Sequence, residues 1–121
     1  MNPNNLKVPK PTIICYVSDR LSDSKALDTI LYGAEEEGIP VEIEKKSGDN
    51  AFEMALAASK ASVLLIGIGV SSSEGVVNYA KLPKDKPIDH AALNAGEDAL
   101  RQLGCNAARM AKRVPLRFKK K

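Results

Sequence analysis

Apolar residues along the chain occur at two spacings, which predict strands and helices in alternation. Residues 12–17, TIICYV, form a short β-rich run typical of a buried strand. Residues 41–44, VEIE, alternate apolar and acidic positions, as an edge or half-exposed strand does. Residues 62–70, SVLLIGIGV, are the most apolar stretch and predict the central strand, and residues 76–82, VVNYAKL, predict a fourth strand.

A helix is predicted between the first two strands. In residues 25–37 the apolar spacing of a helix face is carried by Leu27, Ile30, Leu31 and Ala34. We expect Ser22 or Asp23 to cap the start of this helix, because both side chains can accept a backbone hydrogen bond there. Gly38 is expected to end the helix.

Two further helices and a short extended piece complete the pattern. Helices are predicted at residues 51–59 and 94–113, with Gly104 as an interruption of the second, and an extended piece is predicted near Ile88. Strands that alternate with helices indicate parallel βαβ units with helices on both faces of a sheet. The tight connection SSSEG, residues 71–75, fits a hairpin instead. The sequence therefore predicts a three-layer α/β domain with a mixed sheet.

The composition fits one small domain with an aliphatic core. The chain has 121 residues, of which 44% are hydrophobic and 4% aromatic. We divide it into a flexible N-terminal arm of residues 1–11, an α/β domain of residues 12–118 and a basic tail of residues 119–121. The arm has no apolar h-region, and no apolar run approaches the roughly 18 residues of a membrane span. Cys15 and Cys105 are too few for a disulfide framework, so we expect a cytoplasmic protein.

Charge is unevenly distributed along the chain. Residues 1–100 contain 10 Lys or Arg and 15 Asp or Glu, whereas residues 101–121 contain eight basic residues and no acidic one. A basic segment of this kind suits a nucleic acid or an acidic surface. The alternative is a solvated end, with the other basic side chains on the exposed side of the last helix. Phe118 is the only aromatic residue among these bases, so we expect neither a nucleic acid nor a membrane as partner.

Catalytic motifs have little support in the sequence. Residues 67–75, GIGVSSSEG, match neither G-x-G-x-x-G nor a P-loop, and a strand rather than a helix is predicted to follow them. Glycines inside a strand more often mark the close approach of another backbone. His90 is the only histidine and has no metal ligand or triad partner at a recognisable spacing. We therefore predict no catalytic residue, no cofactor-binding residue and no enzymatic activity in this chain.

Three consecutive carboxylates, Glu35, Glu36 and Glu37, lie where the first predicted helix ends. Carboxylates are unfavourable there because the helix dipole is negative at its C-terminus. Helical geometry places Glu35 and Glu37 beside the apolar face, while Glu36 points away from the core and shares an outer face with Tyr32. Gly33, next to Tyr32, would let another backbone approach. A contact surface for a partner and a solvated acidic helix end are both compatible with this pattern.

Four segments taken together resemble a known family. In order, they are LYGAEEEGIP at residues 31–40, VLLIGIGV at 63–70, LPKDKP at 82–87 and GCNAARMAKRVPLRF at 104–118. They are similar to the small subunit of the reactivating factors of diol and glycerol dehydratases, which are adenosylcobalamin-dependent enzymes. The resemblance covers residues 12–118, nearly the whole chain.

The resemblance implies a function in a chaperone-like complex. In this family the large subunit resembles Hsp70-type ATPases and binds ATP, and the small subunit resembles the medium subunit of the dehydratase. Subunit exchange, driven by ATP hydrolysis on the large subunit, loosens the enzyme and lets damaged cobalamin escape. The implied partners are a large subunit, in a complex of two large and two small subunits, and transiently the dehydratase subunits. The implied location is the cytoplasm, with a bacterial microcompartment as a further site of action.

The resemblance also implies a fold and a set of contact residues. The fold is a three-layer α/β/α domain like an anticodon-binding domain, with one antiparallel strand in a mostly parallel sheet. Glu36 matches the position that reaches the large subunit in the family and can complete a shared Mg²⁺ site. Asn106 and Arg109 match the pattern G-x-N-A-A-R, and we assign them to anchoring the last helix or to partner contact. Residues 87–96, PIDHAALNAG, are less apolar than the family's fifth strand, so that strand is an open question.

The alternative function is that of a medium-subunit-like component of the dehydratase itself, which would contact cobalamin. Medium subunits carry an additional N-terminal region, whereas this chain is predicted to begin its first strand at about residue 12. We therefore expect the reactivating factor, with Tyr32, Gly33, Glu36, Asn106 and Arg109 as candidate contact residues.

Overall fold

The computed structural model describes residues 11–22 and 24–118, which form five strands and three helices. In chain order they are β1 (Ile13–Ser18), α1 (Ser24–Glu36), β2 (Val41–Lys46), α2 (Ala51–Ala61), β3 (Ile66–Val70), β4 (Glu74–Tyr79), β5 (Asp89–Ala92) and α3 (Glu97–Lys112). The order confirms the predicted alternation, and β5 is a regular strand next to Ile88. The candidate cap Asp23, residues 1–10 of the predicted arm and the tail of residues 119–121 lie outside the described residues.

The strands form one mixed sheet in the order β2-β1-β3-β4-β5. β1 pairs in parallel with β2 and β3, whereas β4 pairs antiparallel with both β3 and β5. Because β5 therefore runs in the same direction as β3, β4 is the single antiparallel strand of a mostly parallel sheet, as expected. The hairpin follows from the short turn at residues 71–73, which is too short for a crossover helix.

The helices cover both faces of the sheet, which confirms the three-layer architecture. α2 packs on β3, where a Cβ atom at Gly67 or Gly69 would collide with the backbone of α2. These glycines therefore permit the close approach of another backbone, which is the interpretation that we favoured over a phosphate loop. α1 and α3 pack against each other on the opposite face, where a Cβ atom at Gly75 would meet the side chains of Leu103 and Ile30.

The central strand is shorter than predicted. β3 begins at Ile66, and residues 62–65 before it form a turn with Leu65 at a φ of 63°. The Ser62 hydroxyl donates a hydrogen bond to Thr12 O over 2.6 Å. This tertiary bond fixes the turn next to the start of β1, and apolar periodicity alone does not reveal it.

Other boundaries also differ from the predictions, and β4 ends at Tyr79 rather than at residue 82. Lys45 and Lys46, which follow the strand predicted at residues 41–44, extend β2 because they continue its pairing with β1. Glu74 and Gly75, expected in a turn, begin β4 and pair with β5. α3 begins at Glu97 rather than at residue 94, and it continues through the predicted interruption.

The core is aliphatic, as the composition predicts. Its largest fully buried apolar side chains are Ile13, Ile30, Ile66, Ile68 and Leu103. Cys15 is buried among them as a small core residue, and burial raises the pKa of its thiol to about 12. Among the described residues, no helix is long and apolar enough to span a bilayer.

Candidate functional site

The end of α1 carries the predicted contact residues. Gly38 follows the helix at a φ of 81°, a left-handed conformation that glycine adopts without strain. Its amide donates to Glu35 O over 2.9 Å, and the amide of Ile39 donates to Ala34 O over 3.3 Å. These bonds close the last turn and fix the directions in which the three carboxylates leave the helix.

Tyr32 and Glu36 point into solvent, as helical geometry predicts. Tyr32 is 61% exposed, and the side chain of Glu36 is 57% exposed. Arg101 of α3 lies beside them, with Nε 3.7 Å from Glu36 Oε1 and Nη2 3.5 Å from Glu97 Oε1. Exposed ion pairs of this length contribute little to stability, so Glu36 can exchange Arg101 for another partner at low cost.

Glu37 turns inward between α1 and α3, with a side chain that is only 14% exposed. Its carboxylate accepts hydrogen bonds from Lys112 Nζ (2.6 Å), Arg109 Nε (3.1 Å) and Cys105 Sγ (3.2 Å). The bond from Lys112 and then that from Cys105 lower the pKa of Glu37 to about 2, with a further contribution from Arg109. Because two cations offset its charge, Glu37 joins the ends of the two helices.

Gly33, which we expected beside Tyr32 and open to the backbone of a partner, is instead buried against α3. A Cβ atom there would overlap the carbonyl oxygen of Arg101. Gly104 makes the reciprocal contact, because a Cβ atom on it would overlap the carbonyl oxygen of Ile30. The backbone that approaches Gly33 is therefore the chain's own, and this placement gives no support to a contact between Gly33 and a partner.

Asn106 is fully buried and anchors the segment that follows α3. Its Nδ2 donates to Arg117 O and its Oδ1 accepts from Arg117 N, each over 2.7 Å. The same Nδ2 donates to Asp89 Oδ2 of β5 over 3.1 Å. Of the two roles that the sequence left open, these contacts support anchoring.

Arg109 also makes internal contacts. In addition to its bond to Glu37, its Nη1 donates to Pro115 O over 3.1 Å, and its side chain is 26% exposed. Together, Arg109 and Asn106 hold residues 114–118 against α3. A direct contact of either residue with a partner stays a prediction.

A cleft of 460 Å³ opens between the end of α1, the first half of α3 and residues 114–118, which follow α3. Its walls include charged side chains of both signs, namely Glu36, Glu37, Asp98, Arg101 and Arg117. Phe118, which is 56% exposed, adds an aromatic side chain. Glu36 therefore lies on a concave surface that could receive part of another protein.

The position of Glu36 suits one ligand of a divalent cation that is shared with another molecule. The described residues contain no group of three or more His, Cys, Asp or Glu side chains that could hold a metal ion. The exposed carboxylate of Glu36 supplies the hard oxygen that Mg²⁺ prefers, although a cation there would compete with Arg101. Most ligands of such an ion would have to come from another molecule.

Two residues of this site were missed by sequence reasoning. For Arg101 a signal existed, since Glu97 and Arg101 have the i,i+4 spacing of a helical ion pair. For the partners of Glu37 no local signal existed, although helical geometry places this residue beside the apolar face. Its partners Arg109 and Lys112 are 72 and 75 residues away in the sequence.

Comparisons with known proteins extend these observations. A family model described as dehydratase medium subunit matches residues 10–117. The propanediol dehydratase-reactivating factor small subunit of Citrobacter freundii is 35% identical over 107 residues, which cover 88% of this chain and 90% of that protein. The diol dehydratase-reactivating factor small subunit of Klebsiella michiganensis is 35% identical over 88 residues, or 73% of this chain and 70% of that protein.

Two solved structures have the same fold. A glycerol dehydratase reactivase chain superposes with a TM-score of 0.85 at 30% identity, and the match covers 90% of this chain and 98% of that one. A chain of a diol dehydratase-reactivating factor complexed with ADP and Mg²⁺ superposes with a TM-score of 0.83 at 32% identity. That match covers 91% of this chain and 100% of the other.

Proposed function

Since this chain belongs to the dehydratase medium subunit family, and its relatives there are small subunits of dehydratase-reactivating factors, we propose that it is the small subunit of such a factor. Its role is to bind a larger subunit reversibly. Nucleotide binding and ATP hydrolysis belong to that larger subunit, and this chain performs no catalysis itself.

The extent of the structural match carries this proposal. The chain aligns with 98% of one reactivase chain and with 100% of the other. A shared fold alone is weak evidence for a shared function. Here the fold is accompanied by 30% and 32% sequence identity and by curated relatives with one role, which favours the same role for this chain.

In the proposed cycle, the small subunit leaves the large subunit, which then binds a subunit of an inactivated diol or glycerol dehydratase. The enzyme loosens and damaged cobalamin escapes. ATP hydrolysis on the large subunit drives the exchange, and the resting complex contains two subunits of each kind. The factor acts where its dehydratase is, in the cytoplasm or in a bacterial microcompartment.

Tyr32 and Glu36, together with the cleft beside them, are the proposed contact surface. An exposed Tyr supplies a large contact area with few rotatable bonds. Glu36 supplies one oxygen ligand to Mg²⁺ at the boundary, and the large subunit supplies the others. The presence of ADP and Mg²⁺ in the related diol dehydratase-reactivating factor supports this assignment.

Co-expression with a large reactivase subunit tests the proposal. We expect the two chains to co-elute in size-exclusion chromatography. With ATP and Mg²⁺, we also expect their complex to restore activity to a dehydratase inactivated with damaged cobalamin. Failure to co-elute with the large subunit of the same source would overturn the proposed function.

Glu36→Ala is expected to weaken the complex more than Glu35→Ala. In a calorimetric titration with Mg²⁺, we expect Glu36→Ala to raise Kd by about tenfold, the equivalent of about 1.4 kcal/mol, and Glu35→Ala by less than about twofold. The difference should shrink when EDTA removes the metal. Equal effects of the two substitutions would mean that only the overall charge of the helix end matters.

The description of the family model favours one other function, that of a medium-subunit-like component of the dehydratase contacting cobalamin. This chain would then assemble with the other dehydratase subunits and retain cobalamin, which is detected by its visible absorbance during gel filtration. A reactivating-factor small subunit would yield no such stable cobalamin complex.

A further inference from the structure

The outer side of β2 forms an exposed edge of the sheet. β2 is the first strand in the sheet order, and among the described residues no strand pairs with its outer side. Ile43, in the middle of β2, is 50% exposed. An unpaired edge of this kind is a site at which a second protein can add a strand to the sheet. β2 is therefore a candidate docking edge.

The backbone of β2 is oriented to accept such a strand. Ile13 N donates to Pro40 O, and Asp19 N donates to Lys46 O, so the even-numbered residues of β2 direct their backbone groups toward β1. Because the backbone groups of successive residues in a strand point to opposite sides within the sheet, those of residues 41, 43 and 45 point outward. Their N–H and C=O groups can pair with a further strand.

An apolar groove lies beside this edge, between β2 and α1. It has a volume of about 550 Å³, and its lining includes Leu31, Tyr32, Val41 and Ile43. Tyr32 also belongs to the proposed contact surface, so the groove and that surface are continuous. A partner that covers Tyr32 therefore reaches the edge of β2 as well.

Carboxylates flank the edge on both faces of the sheet. Asp28 and Glu35 line the groove on the side of α1. Because side chains alternate along a strand, Glu42 and Glu44 lie on the face away from the groove. The lysines at positions 45 and 46 offset part of this charge, but only at the end of β2. The first part of the edge is therefore acidic and complements a basic partner.

A second copy of this chain is a poor occupant of the edge. If two β2 strands paired antiparallel with Ile43 opposite Ile43, Glu42 of one copy would lie opposite Glu44 of the other. If Ile43 lay opposite Val41, Glu42 would lie opposite Glu42 of the other copy. Like charges that are directly opposite each other in a sheet are destabilising. The registers that pair Ile43 with an apolar residue of β2 therefore bring glutamates together.

We propose that the edge of β2 binds an extended segment of the larger subunit, which adds to the sheet as a further strand. In this segment, the residues opposite Val41 and Ile43 are apolar and cover the groove, and the residue opposite Glu42 is basic. This alternation follows because directly opposite residues of paired strands share a face. The inference rests on the proposed function, since the larger subunit is the partner that it names.

Amide hydrogen exchange of this chain, alone and in its complex with the large subunit, tests the inference. We expect the outward amides of Ile43 and Lys45 to exchange at least about tenfold more slowly in the complex, because they become hydrogen-bonded there. The amides of Glu42 and Glu44, which face β1, are the internal control and should change much less.

Size-exclusion chromatography of the same samples shows whether the complex has formed. A complex in which the outward amides exchange as fast as in the free chain would overturn this inference and leave the proposed function standing. The absence of any complex would overturn both. Slow exchange of these amides in the isolated chain, in particular if it increases with concentration as self-association requires, would assign the edge to another occupant and would also overturn the inference.

Lys45→Pro tests the backbone pairing directly. The substitution removes an outward N–H group, and proline is tolerated at edge positions whose N–H faces away from the sheet. Lys45→Ala is the matched control, because it removes the same side chain and keeps the N–H group. We expect the Kd for the large subunit to rise at least about tenfold for Lys45→Pro and to change less than about threefold for Lys45→Ala. Equal Kd values for two variants that both remain folded in thermal denaturation would contradict strand pairing.

Glu42→Lys tests the charge of the occupant. We expect this substitution to raise the Kd by about tenfold and Glu42→Gln to raise it by about threefold, because the first introduces repulsion and the second only removes an attraction. Both effects should shrink at high salt, which screens exposed charges. A Kd that Glu42→Lys leaves unchanged or lowers would contradict a basic segment at this edge.

Discussion

Glu37 illustrates how much the role of one side chain depends on its tertiary neighbours. Its position at the end of α1 opposes the helix dipole, yet Lys112 and Arg109 both donate to its carboxylate. The adjacent Glu36 has only the longer contact with Arg101. Two neighbouring carboxylates thus separate into one that holds the helices together and one that can meet a partner.

Replacing Glu37 should change the pH dependence of stability. Its pKa in the folded chain is about 2, below the ordinary value of 4.5. The stabilisation is therefore fully present above pH 4.5 and is lost as pH falls toward 2. We expect Glu37→Gln to lower the free energy of unfolding by about 1–2 kcal/mol at pH 7 and to match the wild type near pH 2.

Urea denaturation at several pH values between 2 and 7 measures this difference. Glu35→Gln is the matched control, because Glu35 is exposed on the same helix end. We expect little change from that substitution at any pH. A gap between Glu37→Gln and the wild type that stays constant down to pH 2 would contradict the role of the ionised carboxylate.

The packing of α1 on α3 depends on two glycines that face each other. Gly33 and Gly104 bring the two helix backbones so close that a methyl group on either would overlap a carbonyl oxygen of the other helix. Their low helical propensity is a small cost compared with the close packing that they allow. The crossing in turn places Arg101 beside Glu36 and Arg109 beside Glu37.

Gly104→Ala should therefore destabilise the chain, although alanine is the better helix former. The added methyl group meets backbone, which cannot move aside like a side chain, so we expect a loss of about 3 kcal/mol or more in the free energy of unfolding. Gly38→Ala is the comparison, since nothing lies near its Cβ position and only the positive φ costs about 1 kcal/mol. Thermal denaturation of both variants measures the contrast, and equal losses would contradict the packing role of Gly104.

The sequence predicted the elements better than the contacts between them. Apolar periodicity located the three helices and the first four strands, whereas β5, which has no fully buried residue, was left open. It missed the start of β3, since the turn before Ile66 is held by the bond from Ser62 to Thr12 across the sheet. It interpreted Gly104 as a weak point of α3, because propensity is local whereas the reason for this glycine is the backbone of α1.

In the candidate site, too, the sequence predicted the features that follow from a single helix and missed those that depend on packing between elements. Helical geometry correctly placed Tyr32 and Glu36 on the outside, because the outer face of a helix follows from the helix itself. The burial of Gly33 and Asn106 depends on which element packs on each face. That information exists only in the folded chain.

The uneven charge of the whole chain is partly resolved by internal pairing. Three of the basic residues in the last 21 positions meet carboxylates from α1 or the start of α3, namely Arg101, Arg109 and Lys112. The basic end of the sequence thus folds onto part of the acidic body. This pairing weakens the case for a nucleic acid as partner.

Asn106 connects three distant parts of the molecule, and its loss should release one of them. It bonds to Asp89 of β5 and to both backbone groups of Arg117, so its replacement by Ala removes three hydrogen bonds. We expect residues 114–118 to detach from α3, and trypsin to cleave after Arg113 and Arg117 at least about tenfold faster, because local opening governs such cleavage.

Mass spectrometry of the tryptic fragments separates this local release from global unfolding. Cleavage after Lys45, which is paired within the sheet and lies far from residues 114–118 in sequence, reports opening of the domain and should rise much less. Gln102→Ala, on the same helix as Asn106, is the control and should leave both rates unchanged. Since Arg117 and Phe118 help to line the cleft beside Glu36, the detached segment should also deprive a partner of one wall of the proposed contact surface. Equal acceleration at all cleavage sites would show instead that Asn106 stabilises the domain as a whole.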